Sequence, residues 1–303
     1  ITEIQRFYPF PGNIAGELTT TATIGGTREK PNANGVISIT EGAINGTPIS
    51  RAGGIFGYNR GRLNLSARIT LDGPEPLRLT GEIPLPLPFI DVYPENDKID
   101  AELKVQNEGL ALLNLVDSPV KWLQGKGAVN LKVGGDLANI QANGTITLDD
   151  ASFEVQGLPE ALTNVNGQIR FDRNIVRVEQ LEGNFSRGNV AARGVLPLFT
   201  FAPNLPIPDG LAVKDCLSQD ATQPLNVVLN QISLSYKGLY QGGVQGCVNV
   251  AGNLFRPRIT GEIALFNGQV LLADEAPPAE PVEDAAGGSR AAASGGRSRG
   301  GWA

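Results

Sequence analysis

The sequence predicts an all-β protein built from antiparallel strands, each with one aliphatic and one polar face. Three observations carry this. Apolar residues alternate with polar ones at period two through most of the chain. The strand pairs recur as an internal repeat. Glycine and proline, 38 and 21 in 303 residues, punctuate the repeats at fixed places.

Taken in order, the first strand pair surrounds Gly26, with Ala22 and Ile24 before it and Ala33, Ile37 and Ile39 after it. Leu63 to Leu71 alternates next and leads to Thr80-Gly-Glu-Ile-Pro-Leu85. Pro84, Pro86, Pro88 and Pro94 then predict an extended edge segment, because proline cannot donate to a ladder. Helical periodicity is scarce. Leu110, Leu113 and Val116 could share a face, but Pro119 limits this stretch to one or two short turns. Gly127 to Gly134 places Val129, Leu131 and Val133 on one face, and Ile146 and Leu148 continue the pattern. Arg170 to Val178, Leu225 to Leu234 and Ile259 to Leu265 alternate likewise. A long loop covers Phe199 to Pro224. From Pro277 to Ala303 the periodicity stops and Ala, Gly, Ser, Pro and Arg dominate. The chain therefore divides into a strand-repeat segment, 1–276, and a disordered tail, 277–303.

The repeat is read by aligning Gly26, Gly135 and Gly252. This superimposes Ile24, Val133 and Val250, and then Ala22, Leu131 and Val248. Downstream, Gly35, Gly144 and Gly261 coincide, as do Ile37, Ile146 and Ile263, and Ile39, Leu148 and Leu265. The Leu63–Leu85 stretch is a fourth copy. The physical reading is a strand, a turn opened by a glycine of positive φ, and a second strand carrying a glycine where backbones approach closely.

Composition narrows the function. There is no histidine, so imidazole bases, His-paired nucleophiles and His-ligated metals are excluded. No phosphate-cradling or dinucleotide motif is present. Asp149-Asp150 is the tight acidic pair, read as a solvated turn. No metal, cofactor or enzymatic activity is expected. A net charge of −6 without basic clusters argues against nucleic acid. The most apolar stretch, Gly194 to Val213, is broken by Pro197, Pro203, Pro206 and Pro208, so no membrane-spanning helix is expected. The chain begins at Ile1 without Met and reads as an interior piece. Cys216 and Cys247 are compatible with a disulfide or with two reduced thiols.

Such strands must cover their aliphatic face with a second sheet, with the same sheet curled on itself, or with an aliphatic ligand. The inward set is Leu131, Val133, Ile146, Leu148, Val248, Val250, Ile263 and Leu265. The alternation does not choose among the three covers.

Three segments resemble the C-terminal part of the TamB family, the inner-membrane component of the translocation and assembly module, of the cyanobacterial and chloroplast-envelope type. They are Leu110-Ala-Leu-Leu-Asn114 followed by Gly127 to Leu137, Leu162 to Phe171 followed by Ile175 to Gly183, and Gly261 to Leu272. The resemblance implies an elongated, curled β-groove (a β-taco) with an apolar lumen. It implies a non-enzymatic, periplasmic role, with anchoring at the inner membrane through a segment outside this chain. The implied partners are phospholipid acyl chains in the groove and an Omp85-family outer-membrane barrel. The implied roles are phospholipid passage between membranes, support of outer-membrane protein assembly, and secretion. The alternative from the residues is a cell-surface β-repeat adhesin or a parallel β-helix polysaccharide lyase. A closed β-sandwich without ligand also fits.

Overall fold

The computed structural model describes residues 14–44, 47–70, 77–87, 92–107, 110–111, 114, 120–199, 216–217, 224–236 and 240–270. The tail from 277, its boundary, Pro88 and most of the 199–224 loop lie outside them, as do Leu113, Val116 and Pro119 of the expected short turns. In chain order the strands are β1 (Ile14–Gly26), β2 (Pro31–Ile44), β3 (Thr47–Ile49), β4 (Arg51–Asn59), β5 (Arg62–Thr70), β6 (Leu77–Pro84), β7 (Lys98–Gln106), β8 (Val120–Asp136), β9 (Ile140–Val155), β10 (Leu162–Arg173), β11 (Ile175–Phe185), β12 (Gly188–Pro197), β13 (Leu225–Tyr236), β14 (Tyr240–Asn253) and β15 (Arg256–Val270). They form one antiparallel sheet in sequence order, with β3 pairing the end of β2 beside β4. The sheet is open: β1 and β15 are its edges. The all-β, antiparallel reading stands, and the open order accords with an elongated curled sheet.

The repeat copies are the hairpins β1–β2, β8–β9 and β14–β15. Gly135 has φ +99° and begins the turn; a Cβ there would lie 2.2 Å from the Asn139 carbonyl oxygen. Gly26 and Gly252 do the same in their copies. Pro31 pairs with Gly26 and Pro257 with Gly252, so each proline opens the second strand of its hairpin.

A second regularity was not expected from the sequence. Glu41, Asp150 and Asn267 stand at the same place in the three copies, all with positive φ (50°, 51° and 47°). Each sits at a register shift. Each lies beside a glycine of the preceding strand, respectively Gly16, Gly125 and Gly242, where a Cβ would come within 2.7 Å of the opposing backbone. These are β-bulges, which bend and twist a strand. They recur at one height of the sheet. Asp149-Asp150 is therefore part of a strand bulge in β9 and not a turn.

The proline-rich segment also differs from expectation. Pro84 ends β6, and both β6 and β7 are interior strands, so the segment is a connection rather than a sheet edge. Leu85 N–H donates to the Gly61 carbonyl at 2.7 Å, and Tyr58 Oη donates to the Leu85 carbonyl at 3.2 Å. The Arg62 guanidinium pairs with Glu82 and donates to the Asn96 and Lys98 carbonyls. The connection is thereby strapped over the β4–β5 turn.

Cys216 and Cys247 form a disulfide with Cα atoms 5.7 Å apart. It ties the β12–β13 loop to the middle of β14. In the loop-closure model, a crosslink across 31 residues removes about 3–4 kcal/mol of unfolded-state entropy. We expect Cys216→Ser with Cys247→Ser to lower the urea midpoint of unfolding accordingly. An unchanged midpoint under reducing and oxidising conditions would show that the link adds no stability.

Candidate functional site: the continuous apolar face

Paired residues of an antiparallel sheet lie on the same face, so register traces the aliphatic residues across strands. One row runs Ala67, Leu79, Leu103, Leu131, Gly144, Phe171, Val176 and Leu196. A second runs Leu148, Gly167, Leu181, Ala192, Val227 and Val248. Val250 pairs Leu225 and Ile259, Gly246 pairs Leu229 and Ile263, and Val244 pairs Ile232 and Leu265. Through Ile37, Gly54 and Ala67 the face continues to β2. All eight residues of the inward set thus lie on one face, which runs without interruption through the sheet.

Their surroundings differ. Leu131, Ile146 and Leu148 are half-buried and pack on a cluster of Val105, Leu110, Trp122, Val129, Ala151 and Val165. Leu110 is fully buried there and belongs to the β7–β8 connection, not to the sheet. Asn114 fixes the same connection. Its Oδ1 accepts from Trp122 N–H at 2.6 Å and its Nδ2 donates to the Trp122 carbonyl at 2.8 Å, imitating a ladder pair. Trp122 meets Phe153 edge to face, with centroids 5.2 Å apart. At its middle, then, the apolar face is covered by the protein's own chain. Burial of a leucine such as Leu110 contributes about 1.5–3 kcal/mol. Val133, Val248 and Val250 are also half-buried. Ile263 and Leu265 are 54% and 57% exposed, and Ile259 and Val270 are more so. Among the described residues, nothing covers the face at its β15 end.

The opposite face is mostly polar, though Val36 and Ile55 are exposed on it. Asn64, Ser66, Thr80, Glu82, Asp100, Glu102 and Lys132 line a depression of about 540 Å³ on it. Lys104 Nζ lies 2.8 Å from Glu102 and hydrogen-bonds it, holding that carboxyl below its ordinary pKa. Lys132 lies 3.7 Å from Asp100. Such exposed pairs contribute little stability. Cys247 faces this side, since it pairs Val228 and Glu262 while Val248 faces the other. Among the described residues no three His, Cys, Asp or Glu side chains gather to hold a metal. No helix among them is long and apolar enough to cross a membrane.

Fold and face define a class: open, repeat-built antiparallel sheets with one continuous aliphatic face and one mostly polar face. Comparison with known proteins finds relatives in chloroplasts. The chain is 24% identical over 180 residues to Protein SUBSTANDARD STARCH GRAIN 4, chloroplastic, of Oryza sativa subsp. japonica. It is 25% identical over 176 residues to Protein TIC236, chloroplastic, of Arabidopsis thaliana. The matches take in 59% and 58% of this chain but 8% and 7% of those proteins. The chain therefore spans a small part of the length of the relatives it matches. No family model and no solved structure matches it. Low-identity similarity to these chloroplast proteins is consistent with a TamB-related family.

Proposed function

We infer that this chain is a non-enzymatic β-groove segment of a TamB-type envelope protein, and that its apolar face carries phospholipid acyl chains between two membranes. The observation that supports this is the aliphatic face, continuous in register, which beyond the part covered by the Leu110 connection ends on an exposed row at Ile259, Ile263, Leu265 and Val270. A soluble protein rarely leaves such a contiguous patch uncovered. In a bacterium the segment would stand in the periplasm, tethered to the inner membrane by chain outside this sequence. An Omp85-family barrel would be its outer-membrane partner, through which it would support protein assembly and secretion. The anchor, the barrel and the acyl-chain cargo rest on family resemblance, and the exposed apolar row supports the last of these.

The test is mass spectrometry of lipid extracted from purified protein. We expect co-purified phospholipid, displaceable by detergent and re-loaded from vesicles. A delipidated chain that stays folded and monomeric and takes up no lipid would sink the reading.

A further inference from the structure

The corner where the β12–β13 loop meets the β14–β15 turn is built to hold aromatic side chains in water. Phe199 and Phe255 stack with centroids 5.5 Å apart and planes 11° from parallel. Yet Phe255 is 68% exposed, Leu254 42% and Phe199 41%. The corner is not loose. Asn253, 4% exposed, accepts from the N–H groups of Phe255 and Arg256 at 3.1 and 2.8 Å. Its Nδ2 donates to the Phe199 carbonyl at 2.9 Å. Leu254 N–H donates to the Pro197 carbonyl at 3.0 Å, and Phe199 N–H to Asn174 Oδ1 at 3.2 Å.

Charge singles out the same corner. The chain carries −6 overall, but residues 250–261 hold two charged side chains, Arg256 and Arg258, and residues 194–199 hold none. Both arginines are exposed. The nearest turn of that rim carries Asp172 beside Arg173 at 3.4 Å, a pair that neutralises itself. Among the described residues, the apolar tip carries Arg256 and Arg258 beside it and no unpaired carboxylate, the composition of an interfacial anchor: rings enter the acyl boundary and guanidinium groups take headgroup phosphates.

We propose that this corner docks the chain on an anionic phospholipid bilayer surface, and so brings the exposed β15 end of the apolar face to the membrane. The proposal rests on the groove reading above, but the two fail separately. The experiment is co-sedimentation of the full chain with phosphatidylcholine vesicles, with and without phosphatidylglycerol. Wild type should bind, and better with phosphatidylglycerol. Leu254→Ser with Phe255→Ser should cut partitioning on both vesicles by about tenfold. Arg256→Gln with Arg258→Gln should cut it by about tenfold on the anionic vesicles alone. As a check independent of affinity, Phe255→Trp should add emission, beyond that of Trp122 and Trp302, that brominated acyl chains quench. Failure of wild type to bind, equal binding by the variants, or no added quenching would overturn the proposal. So would loss of self-association in the serine variant, which would assign the corner to a second copy. Phospholipid co-purifying as before with no vesicle binding would sink this docking alone. Vesicle binding by a chain that carries no lipid would sink the groove reading alone.

Discussion

Replacing Ile263 and Leu265 together by arginine is expected to remove most co-purified phospholipid while leaving the protein folded. Both side chains are more than half exposed and lie on the apolar face of an edge strand. Neither belongs to a buried core cluster, so stability should shift by no more than about 1 kcal/mol for the pair. If acyl chains lie along this row, however, each arginine presents a charge to hydrocarbon, at a cost of about 2.5–3.5 kcal/mol on insertion scales. Even half of that for one residue is close to the roughly 1.4 kcal/mol that corresponds to tenfold in occupancy. Mass spectrometry of extracted lipid against protein should therefore show a loss of about tenfold or more. Retention at the wild-type level, with unfolding unchanged, would show that lipid does not run along β15. Leu148→Arg is the contrasting variant. Leu148 packs on the cluster around Leu110, so this change should cost folding stability and report little on lipid.

The sheet and its facing were legible because both obey local rules. Period two marks each strand, and parity places Leu131, Ile146, Val248 and Ile263 on one side once register is known. Glycine at Gly135 and Gly144 announced the turn and the close approach because no other residue suits both φ and space there. The bulges at Glu41, Asp150 and Asn267 were illegible for the complementary reason. Three different residues hold the same positive φ, and the requirement is carried by the glycines on the adjacent strand. Position of the Leu110 segment on the apolar face could not be read either. A short apolar connection beside a proline has no periodicity that tells where it folds back. The Cys216–Cys247 link depends on a loop conformation that spacing does not encode. The corner at Phe255 was passed over because its two phenylalanines are far apart in sequence and meet through Asn253, whose bonds no motif announces.

Gly144→Val should be among the most destabilising single changes available in the repeat. Gly144 has φ +150°, a region L side chains rarely adopt. An added Cβ would stand 2.0 Å from the Asn130 carbonyl oxygen and 2.9 Å from the Leu131 Cα, both backbone atoms of the paired strand. Neither can give way without breaking the β8–β9 ladder. The conformational term alone costs about 1–3 kcal/mol, and the backbone clash adds to it, so a loss of at least ~3 kcal/mol is expected. The control lies on the neighbouring strand. Gly134 lies outside the positive-φ region, and its Cβ would come no closer than 3.7 Å to the Ile99 carbonyl oxygen. Gly134→Ala should therefore shift unfolding by about 0.5 kcal/mol or less. Urea unfolding followed by far-ultraviolet circular dichroism distinguishes the two. Equal, small shifts would mean that the β8 and β9 backbones do not approach as closely as this register requires. A large shift confined to Gly144 would be expected again at Gly261, its counterpart in β15, where a Cβ would lie 2.2 Å from the Cys247 carbonyl oxygen. There the cost should be smaller, because β15 is an edge strand and can move outward to relieve it.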